Sequence, residues 1–152
     1  MPHIISQIHQ RAWRSFLTSQ SLTTNMLDSR LRKAKQISLD VYEVLHTLED
    51  AEGQRLRMSE LAETILFSRS GLTRMIDRLE EIGYVVREPS PDDRRGWFAK
   101  VTVEGIKARH AACDIVQNGL KEVWVEALSE DDAVKVSELL ELVGGRAKIA
   151  AR

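Results

Sequence analysis

Arg74, and the adjacent Arg94 and Arg95 in the stretch "SPDDRRGW" at residues 90–97, are the side chains best placed to do chemistry. A guanidinium keeps its charge at every physiological pH and offers a planar fork of donors. It can therefore hold a phosphate or bridge guanine O6 and N7. On a helix, positions 70, 73, 74 and 77 share one face, which sets Ser70, Thr73, Arg74 and Asp77 side by side with Arg78 next to them. Serine and threonine suit phosphate oxygens or a thymine methyl. Asp77 is the odd member, and the expectation is a local ion pair to Arg74 or Arg78. The plain alternatives are a solvated helix face and a solvated hairpin tip.

The surrounding elements decide between those readings. In "RLRMSELAETILFSRSGLTRMIDRLEEIG", Ser59 is expected to begin a short helix carrying Leu61, Ala62 and Ile65. Ser68 or Ser70 then begins a second helix running to Gly83, with Leu72, Met75, Ile76, Leu79 and Ile82 as its core-facing stripe. Two helices meeting through so short a connection make a helix-turn-helix. "YVVRE" and "WFAKV" follow as two strands around residues 89–96. Helix, helix and a hairpin with a basic tip form a winged helix, whose wing can lie along a DNA backbone or enter a minor groove, where arginine is favoured.

Upstream, residues 3–34 read as one long helix or two joined ones, with "SLTTN" at 21–25 a point where the helix can kink or break. Ser38 is expected to cap a helix with Val41, Val44, Leu45 and Leu48 as its apolar stripe, and Gly53 to terminate it. Downstream, Thr102 caps a helix reaching about Leu128, Ser129 caps the last helix, and Gly144-Gly145 ends or breaks that one. The fold class is mainly α with a small β-hairpin wing. A lobe at 36–103 is flanked by helical regions at 1–35 and 104–152.

Composition narrows the function. The 152 residues are 43% apolar, enough for a core, and carry 22 basic against 23 acidic side chains. Net charge thus gives no argument for a nucleic-acid partner; local placement of arginine does. No run approaches the roughly 18 apolar residues of a membrane span, "MPHIISQIHQRAW" lacks a signal-peptide pattern, and one cysteine fits a reducing compartment. The expected address is the cytoplasm. His110 and Cys113 stand at ligand spacing, but no second pair completes a site, so no metal and no cofactor is expected. Cys113 sits on an apolar stripe, the setting of a structural thiol. No nucleophile–base set, phosphate loop or paired-acid motif suggests an enzyme.

The pieces "SELAETILFSRSGLTRMIDRLEEIGYVVREPSPDDRR" and "VTVEG" resemble the MarR (multiple antibiotic resistance regulator) family of bacterial transcription factors. Asp93, Arg95, Thr102 and Gly105 stand at that family's Asp-x-Arg and Thr-x-x-Gly positions. The resemblance implies a homodimer whose terminal helices interdigitate as a dimerisation platform between two winged helices. It implies double-stranded DNA as partner, through Ser68, Arg69, Ser70, Thr73, Arg74 and Arg78 on the recognition helix. Arg95, with Arg94, would act at the wing tip, and Asp93 would orient an arginine or the wing itself, although it could equally just start the turn. Two-fold symmetry implies a pseudo-palindromic operator with half-site centres about 10 base pairs apart. Relatives bind small aromatic effectors beneath the lobe, where Trp13, Phe16, Tyr42, His46 and Trp124 would converge; an aromatic set at helical spacing could also be plain core. The implied function is a repressor released by such an effector. The competing reading is a winged-helix protein–protein interaction module without specific DNA binding.

Overall fold

The computed structural model describes residues 5–65, 69–90 and 96–151. The chain divides into two units, Met1–Val116 and Gln117–Arg152.

The first unit opens with α1, Gln7–Lys33, capped by Ser6, whose hydroxyl accepts from the His9 amide at 3.3 Å. The helix passes through "SLTTN" unbroken. Thr24 Oγ1 donates back to the carbonyls of Gln20 and Ser21 at 3.0 and 3.2 Å, so its hydroxyl satisfies the helix instead of competing with it. α1 stops in a Schellman turn, with the Lys35 amide on Arg32 O and the Gln36 amide on Leu31 O. Lys35 fills the left-handed position there at φ 54°.

α2, Leu39–Asp50, has the expected Ser38 cap, and Asp28 of α1 adds a second acceptor, taking the Leu39 amide at 2.8 Å. Gly53 lies three residues past the end of α2, in a short 3-10 turn at φ 66°, rather than at the helix terminus. Next comes a strand that the sequence reading lacked: β1, Arg55–Arg57. α3 then runs Met58–Thr64, so Ser59 lies inside the helix, and the Glu60 carboxylate reaches back to the Arg57 amide at 3.0 Å. α4 is Arg69–Ile82, and β2, Val85–Pro89, and β3, Trp97–Val101, complete the lobe. The sheet is antiparallel in the order β1-β3-β2.

One core unites these elements: Val44, Leu45 and Leu48 of α2, Leu61 and Ala62 of α3, Leu72, Ile76 and Leu79 of α4, and Val85, Ala99 and Val101 of the sheet. The α4 stripe ends at Leu79, since Ile82 is exposed. α4 closes on Gly83 at φ 87°, again as a Schellman turn, with the Tyr84 amide on Leu79 O and the Gly83 amide on Glu80 O. Thr102 joins the same corner: its hydroxyl donates to Gly83 O at 2.6 Å and accepts from the Gly105 amide at 3.1 Å, capping α5, Val103–Leu120. A Cβ at Gly105 would collide with the Tyr84 carbonyl and stand 2.9 Å from Val101 Cγ2, so this position tolerates only glycine.

In the second unit, α5 ends in a π-turn at Lys121–Val125, where the Glu126 amide bonds Lys121 O at 3.1 Å. α6, Glu130–Ala150, starts at the expected Ser129 cap with three acidic residues in its first turn. It runs through Gly144 and Gly145 without a break, because hydrogen bonding along a long helix tolerates two glycines at a cost of about 1 kcal/mol each.

Candidate nucleic-acid interface

α3 and α4 pack through Leu61, Ala62, Leu72 and Ile76, which turns the opposite face of α4 outward. Ser70, Thr73, Arg74, Asp77 and Arg78 are all exposed on it. Among the described residues, no ion pair engages the Arg74 or Arg78 guanidinium, so both charges face solvent. Ser68, Asp93, Arg94 and Arg95, and the side chain of Arg69, lie outside the described residues.

Asp77 does not restrain Arg74 or Arg78. Its Oδ1 instead takes Arg87 Nη2 of β2 at 2.5 Å, while Arg87 Nη1 binds Glu80 Oε2 at 2.5 Å and the Arg87 amide donates to Glu80 Oε1 at 3.2 Å. Arg87 points to this side because alternation along β2 puts it on the helix-facing side of the sheet. Burial disfavours the Arg87 cation, but hydrogen bonds from Asp77 and Glu80 outweigh that and hold its pKa above the ordinary arginine value. The consequence is electrostatic. Segment 68–83 holds three basic and three acidic residues, and Arg87 ties down two of the acids, leaving Arg74 and Arg78 to define the outward field. Sequence reasoning missed Arg87. Its position on a strand, next to an acidic helix end, was the only signal.

The other face of the sheet is built differently. Arg55 and Arg57 of β1 stack over the Phe98 ring at 4.7 and 5.3 Å from its centroid. Glu88 of β2 accepts from Arg55 Nη1 at 2.8 Å and Lys100 Nζ at 3.0 Å. The hydrogen bonds from Arg55 and then Lys100 hold the Glu88 carboxyl below the ordinary range.

A third charged group joins α2 to α5. Glu49 accepts from Arg109 Nε at 2.7 Å and Nη2 at 2.6 Å, and lies 2.9 Å from His110 Nε2. Burial pushes the Glu49 carboxyl up, but hydrogen bonds from Arg109 and His110 overcome it and leave the group below its usual pKa. Cys113 is half-buried beside this group, with Sγ 3.8 Å from Tyr42 Oη and 3.7 Å from Arg109 Nη1.

The aromatic residues form two separate pairs. Trp13 and Phe16 on α1 stand 6.1 Å apart, both half-exposed, while Tyr42 and His46 on α2 stand 5.9 Å apart, Tyr42 being buried. His46 Nδ1 is shielded from solvent, with Asp50 at 3.5 Å as its nearest acid, too long for a good hydrogen bond. Trp124 belongs to the second unit and is partly exposed. Among the described residues, no cluster of His, Cys, Asp and Glu could hold a metal ion, and no helix is long and apolar enough to cross a membrane.

Comparison with known proteins supports this geometry. A model of the MarR family matches residues 35–96. The HTH-type transcriptional regulator PrsX of Escherichia coli is 39% identical over 88 residues, covering 58% of this chain and 53% of PrsX, so the chain spans about half the length of that relative. The transcriptional repressor MprA of Escherichia coli is 28% identical over 120 residues, covering 78% of this chain and 68% of MprA. The crystal structure of Sco3205, a MarR family transcriptional regulator from Streptomyces coelicolor in complex with DNA, superposes with a TM-score of 0.85 at 29% identity, over 94% of this chain and 90% of that one.

Proposed function

The chain belongs to the MarR family, and on that premise we propose that it is a cytoplasmic, homodimeric, sequence-specific DNA-binding regulator of transcription that acts as a repressor, not an enzyme. The observation that carries this is the outward face of α4, where Arg74 and Arg78 stand without acidic partners while Arg87 holds Asp77 and Glu80. α4 is the reading element: Arg74 contacts a base edge and Ser70, Thr73 and Arg78 contact backbone. Arg94 and Arg95 hold the flanking groove from the wing, with Asp93 orienting them. The likeness to a DNA-bound relative and to a named repressor supports the reading.

Dimerisation through the regions 1–35 and 104–152 would set two lobes, each spanning 36–103, on two half-sites. A small aromatic effector bound near Trp13, Phe16, Tyr42, His46 and Trp124 would release DNA by changing the lobe spacing.

The test is fluorescence anisotropy of the purified protein on the intergenic DNA beside its own gene, with a scrambled duplex as control, at two salt concentrations. Saturable binding to the native fragment alone is expected. Arg74→Ala should lose about 1–3 kcal/mol and relax preference at one base position. Equal, salt-sensitive binding to both duplexes, or none to either, would favour the protein-interaction module instead.

A further inference from the structure

The outer face of the sheet carries a cationic feature that neither α4 nor the wing tip accounts for. Register places Arg57 opposite Phe98, Arg55 opposite Lys100 and Glu88 opposite Phe98, so all five side chains share one face. Three cations therefore meet one anion. Glu88 is engaged by Arg55 and Lys100, and Arg57 has no acidic partner among the described residues. Its guanidinium rests over the Phe98 ring, which restricts its rotamers while leaving the in-plane N–H groups unused. A stacked guanidinium is thereby prepared for bidentate contact with an oxyanion in its plane.

The surroundings specify the oxyanion. Arg57 is the last residue of β1 and immediately precedes α3, the first helix of the helix-turn-helix, while Phe98 is the second residue of β3, on the strand end that receives the wing. Arg57 thus stands between the two DNA-facing elements, on the strand end nearest the wing. We propose that Arg57, stacked on Phe98 and flanked by Arg55, is a further DNA-contacting residue that grips a backbone phosphate outside the groove read by α4. This rests on the DNA-binding reading above and extends its footprint. A phosphate contact adds affinity without base preference, so Arg57 serves specific and non-specific binding alike.

The experiment uses the full-length protein and the tightest-binding duplex that the wild type selects from a randomised pool, beside a scrambled duplex. Kd is measured across a salt series for the wild type, Arg57→Gln, Phe98→Leu and the double variant. Arg57→Gln should weaken both duplexes by about tenfold, keep their affinity ratio, and flatten the log–log salt slope by about 0.9. Phe98→Leu retains every charge, so the slope should stay near the wild-type value while affinity falls. Because ring and guanidinium act as one unit, the double variant should be no weaker than Arg57→Gln alone. An Arg57→Gln protein with wild-type Kd and slope would overturn the proposal. Failure of the wild type to select any duplex would instead sink the DNA reading beneath it.

Discussion

At the scale of single residues, two backbone positions make opposite demands. Lys35 holds a left-handed conformation at the C-terminus of α1, where a Cβ is penalised by roughly 1–2 kcal/mol. Lys35→Gly should therefore stabilise the fold by about 1 kcal/mol, less than the full penalty because glycine also gains freedom in the unfolded chain. Gly105 is the reverse case: its missing Cβ is what lets α5 start against the Tyr84 carbonyl. Gly105→Ala should cost about 1–3 kcal/mol as an overpacked site that cannot relax. Urea denaturation midpoints of the two variants, moving in opposite directions, check both. The Thr-x-x-Gly pattern announced Gly105 from sequence, but Lys35 was not legible, since lysine carries no left-handed preference and only the observed turn reveals it.

At the scale of elements, Arg87 couples the wing to the recognition helix. Arg87→Met should cost only about 1 kcal/mol in stability, as half-exposed ion pairs commonly do. Its effect on DNA should be larger, because Asp77 would then stand unpaired on the face that approaches phosphate. Anisotropy of Arg87→Met against Arg87→Met/Asp77→Asn tests this: removing the freed carboxylate should restore most of the lost affinity. The Glu49 group couples α2 to α5 and predicts a pH dependence. The folded-state pKa of Glu49 lies below its ordinary value of 4.5. Its contribution is therefore complete above that value and is lost as pH falls through the lower, folded value. Denaturation curves for wild type and Glu49→Gln should differ at pH 7 and converge progressively below about pH 4.5. These couplings mark the limit of the sequence. Local stripes and caps located α2, α4, β2, β3 and the start of α6. β1 is three residues with two arginines, carries no apolar pattern, and exists only because β3 pairs with it. Asp77 was matched to helix neighbours because its partner lies ten residues away on another element, a contact that only tertiary packing creates.

At the scale of the whole molecule, large apolar side chains remain exposed on both terminal helices. α1 exposes Ile8, Trp13, Phe16, Leu17 and Leu22, and α6 exposes Leu139, Leu142, Val143 and Ile149. Contiguous apolar surface of this kind marks an interaction site, and each such side chain is worth about 1.5–3 kcal/mol when fully buried. On α6 the spacing 139, 142, 143 and 149 keeps these residues to one side of the helix, as a dimer seam requires. Leu142→Asp should therefore shift the protein from dimer to monomer in sedimentation velocity, with helical circular dichroism retained. The DNA consequence follows from linkage. In a dimer the second lobe binds at an effective concentration set by the shared platform, so the monomeric variant should lose specific affinity by more than tenfold. It should keep weak, salt-sensitive binding, because each lobe retains its α4 arginines. A variant that stays dimeric would place the seam elsewhere, and one that becomes monomeric yet keeps full affinity would show that a single lobe suffices for the operator.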